Sequence, residues 1–134
     1  MIHAPAVGMR ARKLSEIRVY RKAQKATGEI SAILARPGFR RNFKLQDQLS
    51  RSTSCIGPLI AEGYGQTTDR HLADYLGRAR GSVQETIGNL EQALQKKLIS
   101  KPEFLTHADT YDHIGRMLTR WIVHLRDSDW KDRR

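Results

Sequence analysis

The stretch RSTSCIGPLIAEGYGQ (51–66) places a Gly-Pro pair inside an apolar run at helical spacing and ends on Glu-Gly-x-Gly. Pro58 lacks a backbone N–H and crowds the preceding turn, so it predicts a kink in the helix that contains it. Glu62 lies near the carboxyl end of that helix, where the macrodipole disfavours a carboxylate. We therefore expect either a water-facing side chain or a buried ion pair, with Arg78, Arg80 or a cation of a neighbouring subunit.

Apolar residues recur at three- to four-residue steps in four windows, and no window shows the two-residue alternation of a half-buried strand. The pattern predicts an all-α fold, an antiparallel up-down-up-down four-helix bundle with short connections. The predicted helices span about 14–35, 45–64, 68–98 and 101–126. We expect a flexible basic N-terminal segment at 1–13, the bundle at 14–126 and a frayed C-terminal tail at 127–134.

The third predicted helix contains several glycines. Gly77 and Gly81 share one of its faces, which predicts the close approach of a neighbouring helix. Ser82 is expected to form a hydrogen bond across that approach.

The composition is typical of one globular domain: 134 residues, 39% hydrophobic, with a single cysteine and a net charge of +10. One cysteine excludes an intrachain disulfide framework, and no apolar run reaches the length of a membrane span. The N-terminus lacks the apolar segment of a secretory signal. We expect a cytoplasmic protein, and Met9 is an alternative start of translation.

Positive charge is concentrated in residues 1–44, which contain eleven Lys and Arg side chains against Glu16 and Glu29. On the first predicted helix the basic positions lie about 170° from the apolar face. Phe39 and Phe43 lie among the basic residues that follow, where aromatic rings suit stacking on bases. A solvated surface is the alternative interpretation. The predicted nucleic-acid-binding residues are Arg18, Arg21, Lys22, Lys25, Arg36, Arg40, Arg41 and Lys44.

Signatures of catalysis and metal binding are missing from the sequence. It has no phosphate-binding Gly-rich loop, no H-E-x-x-H pair and no paired cysteines of a zinc site. An exposed helix surface with an Asp112–Arg116 pair accounts for the His and Asp side chains at 107–113 as well as a metal site does. Cys55 is interpreted as a small core residue. We expect a protein that is not an enzyme and has no cofactor or metal.

The segments LQDQLSRSTSCIGPLIAEGYG (45–65) and YLGRARGS (75–82) resemble a family of small bacterial four-helix bundle proteins. These are encoded in intervening sequences of large-subunit ribosomal RNA genes and are distantly similar to accessory variability proteins of diversity-generating retroelements. The ending IGRMLTRWIVHL (114–125) is similar to the retroelement proteins. Leu59 and Gln66 depart from the family pattern, which usually has Asn and Arg there. The motif residues expected to be structural are Asp47, Gln48, Arg51, Glu62, Gly63, Gly65, Gly81 and Ser82.

The resemblance implies a closed homopentamer without established catalysis, and it implies nucleic acid and a reverse transcriptase as partners. The residues themselves predict binding of RNA or DNA mainly through phosphate neutralisation. The alternative function is a homo-oligomeric protein-interaction scaffold that binds no nucleic acid and whose cations contact an acidic protein.

Overall fold

The protein is described by a computed structural model over residues 13–128, and all regular secondary structure in this range is helical. The predicted all-α class is confirmed for these residues, whereas the expectations for 1–12 and 129–134 lie outside them. No helix within the described range has the length and apolarity that crossing a membrane requires. After a 3-10 turn at Leu14–Glu16, the helices are α1 (Arg18–Leu34), α2 (Pro37–Arg41), α3 (Phe43–Ser54), α4 (Ile56–Tyr64), α5 (Asp69–Gln95) and α6 (Lys101–Ser128).

The short helix α2 lies where the sequence predicted a connecting loop. Pro37 occupies its first turn, where a missing N–H costs nothing because that group has no partner in the helix. Phe39 anchors α2, since its side chain is fully buried. Pro37, which was predicted to end the first helix, therefore also begins a new one.

The second predicted helix, 45–64, is two helices rather than one. α3 ends at Ser54, and Cys55 separates it from α4 with φ −90° and ψ −11°. The break lies one turn before Pro58, because Pro58 cannot donate a hydrogen bond to the carbonyl of Ser54. The kink predicted from Pro58 is therefore an interruption of the helix.

Contacts between α5 and α6 run in opposite order along the two helices. Gly115 of α6 lies against Val83 of α5, and an added Cβ would be 3.4 Å from a Val83 methyl. One turn further along α6, Thr119 accepts a hydrogen bond from Arg80 at 3.1 Å. The five-residue connection between these helices suits this antiparallel pair.

α1 packs against α3 with the same reversal. The side chain of Gln46 donates to the carbonyl of Leu34 at 2.8 Å, near the end of α1. The hydroxyl of Thr27 donates to the carbonyl of Thr53 at 3.0 Å, near the end of α3. These bonds fix the register of the two helices.

A row of buried polar side chains connects α3 to α5. The hydroxyl oxygens of Ser52 and Thr86 lie 2.9 Å apart, and the Asn89 amide lies 3.4 Å from Ser52 Oγ. All three residues are buried. Because buried polar groups are costly unless hydrogen-bonded, this row specifies how α3 sits on α5.

Candidate nucleic-acid interface

Four predicted cations lie on one side of α1. On the buried face of α1, Val19 and Ala26 are buried and Tyr20 is only half-buried. This face is therefore rotated from the one predicted from the sequence. On a helical projection its centre lies about 120° from the cations instead of about 170°. The cations therefore border the core, which explains why Lys22 is half-buried. We call this group the α1 flank: Arg18, Arg21, Lys22 and Lys25.

A second group of cations surrounds α2 at one end of the structure. The α5–α6 connection reaches the same place, since an added Cβ at Gly38 would lie 3.2 Å from a methyl of Leu98. Segments 36–44 and 96–103 together contain seven cationic side chains and one carboxylate. We call six exposed cations of these two segments the basic end: Arg40, Arg41, Lys44, Lys96, Lys97 and Lys101.

Sequence reasoning missed three of these lysines. The signal was QKKLISK (95–101), a basic stretch between two predicted helices. It lies outside the basic first third of the chain, and only the packing of the α5–α6 connection on α2 brings it beside Arg40 and Arg41.

The exception among the predicted cations is Arg36, which is bound to a carboxylate. Its guanidinium lies 3.2 Å and 2.5 Å from the two carboxylate oxygens of Glu103. The Ser100 backbone N–H donates to the same carboxylate at 2.9 Å. The Arg36 hydrogen bond, followed by that of Ser100, lowers the pKa of Glu103 to about 2. Arg36 therefore joins α2 to α6 and has less free charge for a phosphate than its neighbours.

The two aromatic residues of this region have opposite environments. Phe39 is fully buried, so the prediction that its ring is available for stacking is wrong. Phe43 is 72% exposed at the start of α3. Phe43 lines a groove together with polar side chains, which include Arg41, Lys44, Gln48, Gln92 and Lys96.

Of the two interpretations of Glu62, the structure supports the water-facing one. Its side chain is exposed, and no ion pair to it occurs within residues 13–128. The two partners expected within the chain, Arg78 and Arg80, have other contacts, and a cation of a neighbouring subunit stays a prediction. Arg78 stacks 4.8 Å from the ring centre of Tyr75, and Arg80 donates to Thr119.

Other motif residues have visible structural roles. Asp47 and Arg51 form an ion pair at 3.0 Å along the exposed side of α3. Gly63 is required for packing, because an added Cβ would lie 2.8 Å from the Cβ of Tyr75 on α5. Gly65 follows α4 with φ −81°, a value open to any residue, so it ends the helix without a left-handed turn.

Gly77 and Gly81 do not mediate close approach within the described chain. An added Cβ at either position meets nothing within 4 Å, and the same holds for Gly88. The prediction of close packing at these glycines is therefore wrong for contacts inside the single chain. Ser82 does bond across to the α3–α4 break, where its hydroxyl lies 3.0 Å from the sulfur of Cys55.

Within the described residues, no three His, Cys, Asp or Glu side chains come together as metal ligands. Asp112 and Arg116 form the predicted ion pair at 2.7 Å. Cys55 is half-buried at the α3–α4 break rather than fully within the core.

A family model described as 23S rRNA-intervening sequence protein matches residues 15–120. The match begins before α1, ends within α6 and includes both motif segments that carry the resemblance. No curated protein and no solved structure matches this chain significantly. Since the family model covers most of the sequence, the chain belongs to the 23S rRNA-intervening sequence protein family.

Proposed function

We propose that this chain is a non-enzymatic, homo-oligomeric four-helix bundle that binds RNA or DNA in the bacterial cytoplasm. In this proposal α3 and α4 act as one kinked helix, and α1, α3–α4, α5 and α6 form an antiparallel up-down-up-down bundle. The reversed contact order of α1 with α3, and of α5 with α6, supports this topology.

The observation that carries the proposal is the basic end. Its six exposed cations come from two segments far apart in sequence, and the one carboxylate of those segments is bound to Arg36. A cluster of like charges raises the free energy of the folded chain unless a polyanion neutralises it. Nucleic-acid phosphates provide this neutralisation at regular spacing.

The α1 flank provides a second contact for the same polymer. Leu34, at the end of α1, lies nine positions after Lys25, which corresponds to about 13 Å along the helix axis. A nucleic acid that follows α1 contacts both groups. Such contacts position the backbone and read little sequence.

Assembly into a homo-oligomer is supported by the open glycines of α5. Gly77, Gly81 and Gly88 lie on one outward face, where an added Cβ at each position meets nothing within 4 Å in the described chain. A helix of a second copy can approach such a face closely. The family resemblance implies a pentamer, and each added copy repeats the net charge of +10 on one multivalent surface.

The distant similarity to accessory proteins of retroelements extends the proposal to a reverse transcriptase as protein partner. Gene neighbourhood tests this part directly. A reverse transcriptase gene and a repeated template beside the coding sequence support it, whereas a lone gene inside a ribosomal RNA operon does not.

The test of the whole proposal is a salt titration of binding to structured RNA and to duplex DNA, with the mass in solution measured in the same buffer. A steep loss of affinity with salt and an oligomeric mass are expected. An oligomeric mass without binding at low salt would overturn nucleic-acid binding. It would leave the second candidate, a protein-interaction scaffold with an acidic partner, which the open glycines favour equally.

A further inference from the structure

We infer that the groove beside Phe43 binds an unpaired nucleotide, whose base stacks on the Phe43 ring while its phosphates lie along Arg41, Lys44 and Lys96. This inference rests on the proposed function and specifies its ligand as single-stranded nucleic acid. It starts from an anomaly of the fold: a phenylalanine that is 72% exposed in the middle of the basic end.

The backbone places Phe43 at a defined corner between α2 and α3. Asn42 precedes it, and the Asn42 amide donates to the carbonyl of Gly38 at 3.0 Å. The carbonyl of Asn42 accepts the N–H of Gln46 at 3.0 Å, which starts α3. Because Phe39 anchors α2 in the core, binding would restrict only the two side-chain torsions of Phe43.

The two sides of the ring differ in charge. One groove is lined by Arg41, Lys44 and Lys96, and it has no carboxylate among the described residues that line it. The groove on the other side is lined by Asp47, whose carboxylate is paired with Arg51, and by no cation among the described residues that line it. A phosphate chain that passes Phe43 is therefore directed to the side of the three cations.

The groove also offers groups suited to a base edge. Gln48 and Gln92 line it, and an amide side chain carries both a donor and an acceptor for the edge of an unpaired base. A ring that projects from a protein surface can stack only on a base whose face is open. Inside a duplex both faces of a base are covered by neighbouring bases, so the site favours single strands.

The test compares binding of an oligouridylate of about 12 nucleotides with binding of an RNA duplex of similar length. Phe43→Leu keeps an apolar side chain and removes the aromatic face, and Phe43→Trp restores a face. We expect Phe43→Leu to weaken single-strand binding about 5-fold to 100-fold, which corresponds to the loss of one stacked base. Duplex affinity and the salt dependence should remain unchanged, and Phe43→Trp should bind like the native protein.

A matched charge variant separates the two contributions. Lys44→Gln with Lys96→Gln should reduce the single-strand salt slope by about 1.4, whereas Phe43→Leu should leave that slope unchanged. Since Phe43 is exposed, its variants are expected to keep the circular dichroism and the solution mass of the native protein.

Three results would overturn the inference. Equal affinity of Phe43→Leu and native protein for the oligouridylate excludes stacking, and an equal loss on the duplex assigns Phe43 a structural role. A change in solution mass assigns the ring to a contact between copies of the chain. In all three cases native protein that still binds with a steep salt slope leaves the proposed function intact. Absence of binding to both RNAs rejects the inference, and absence of binding to duplex DNA as well rejects the proposed function.

Discussion

Arg36 and Glu103, 67 positions apart in the sequence, face each other through two nitrogen–oxygen contacts of 3.2 Å and 2.5 Å. The pair connects the start of α2 to the start of α6 across the basic end. Its side chains are 44% and 30% exposed, so solvent screens part of the attraction. The pair places one carboxylate at the point where two cationic segments meet and reduces their repulsion.

The first prediction concerns the pH dependence of this pair. The pKa of Glu103 falls from its ordinary value of 4.5 to about 2, so folding favours the ionised carboxylate. Its contribution to stability is present above pH 4.5 and is lost as the pH falls toward about 2. Urea unfolding should show native protein more stable than Glu103→Gln at neutral pH, with a difference that narrows in acid. A difference that stays constant from neutral pH to about pH 2 would contradict the pair's role.

The second prediction separates Arg36 from its basic neighbours. Arg36→Gln leaves Glu103 without its partner, so we expect a loss of up to about 1 kcal/mol of stability and little change in RNA affinity. Arg40→Gln, the matched control within α2, should weaken RNA binding and leave stability nearly unchanged. Thermal unfolding and RNA binding of both variants check this. A larger affinity loss for Arg36→Gln than for Arg40→Gln would show that Arg36 contacts the ligand.

The third prediction concerns the α1 flank. Replacing its four cations by Gln should weaken binding without unfolding, because these side chains border the core and do not fill it. If all four contact phosphates, the salt slope falls by about 2.8 on single strands and about 3.6 on duplex DNA. The control replaces the exposed Arg116 and Arg120 of α6 by Gln. An equal loss per charge in both variants would show that net charge alone drives binding.

The fourth prediction compares two glycines. Gly63→Ala should destabilise the protein by about 1–3 kcal/mol, since the new methyl lies 2.8 Å from the Cβ of Tyr75 on a packed helix. Gly88→Ala, which meets nothing within 4 Å, should stabilise the single chain by about 0.5–1 kcal/mol through helix propensity. Urea unfolding measures both. Equal effects of the two substitutions would show that Gly63 is not a packing glycine.

The periodic apolar pattern was sufficient to predict the long helices, because apolar residues at helical spacing over many turns are typical of an amphipathic helix. It did not reveal α2, since Pro37 after a helix is compatible with both a loop and a new first turn. The effect of Pro58 was anticipated, but its position was not. The interruption falls at Cys55, because a proline disrupts the turn that precedes it.

The candidate site could be predicted only where it is local in sequence. Cations of the α1 flank follow from one helix, but Lys96 and Lys97 join the basic end through a tertiary contact that no local pattern encodes. The sequence does not distinguish Phe39 from Phe43, because the two residues lie four positions apart in the same basic stretch. Only the docking of α2 decides that the first ring is buried and the second exposed.

The open face of α5 has a consequence for how this protein can be altered experimentally. An added Cβ at Gly77, Gly81 or Gly88 meets nothing within 4 Å in the described chain, so a small side chain introduced there is expected to leave intramolecular packing as it is. If copies assemble through this face as proposed, substitutions at these positions change the contacts between copies and leave the folding of each chain unchanged. A residue that prevents the proposed assembly without changing the unfolding of the isolated chain would yield a folded single subunit, in which nucleic-acid affinity can be measured without multivalency.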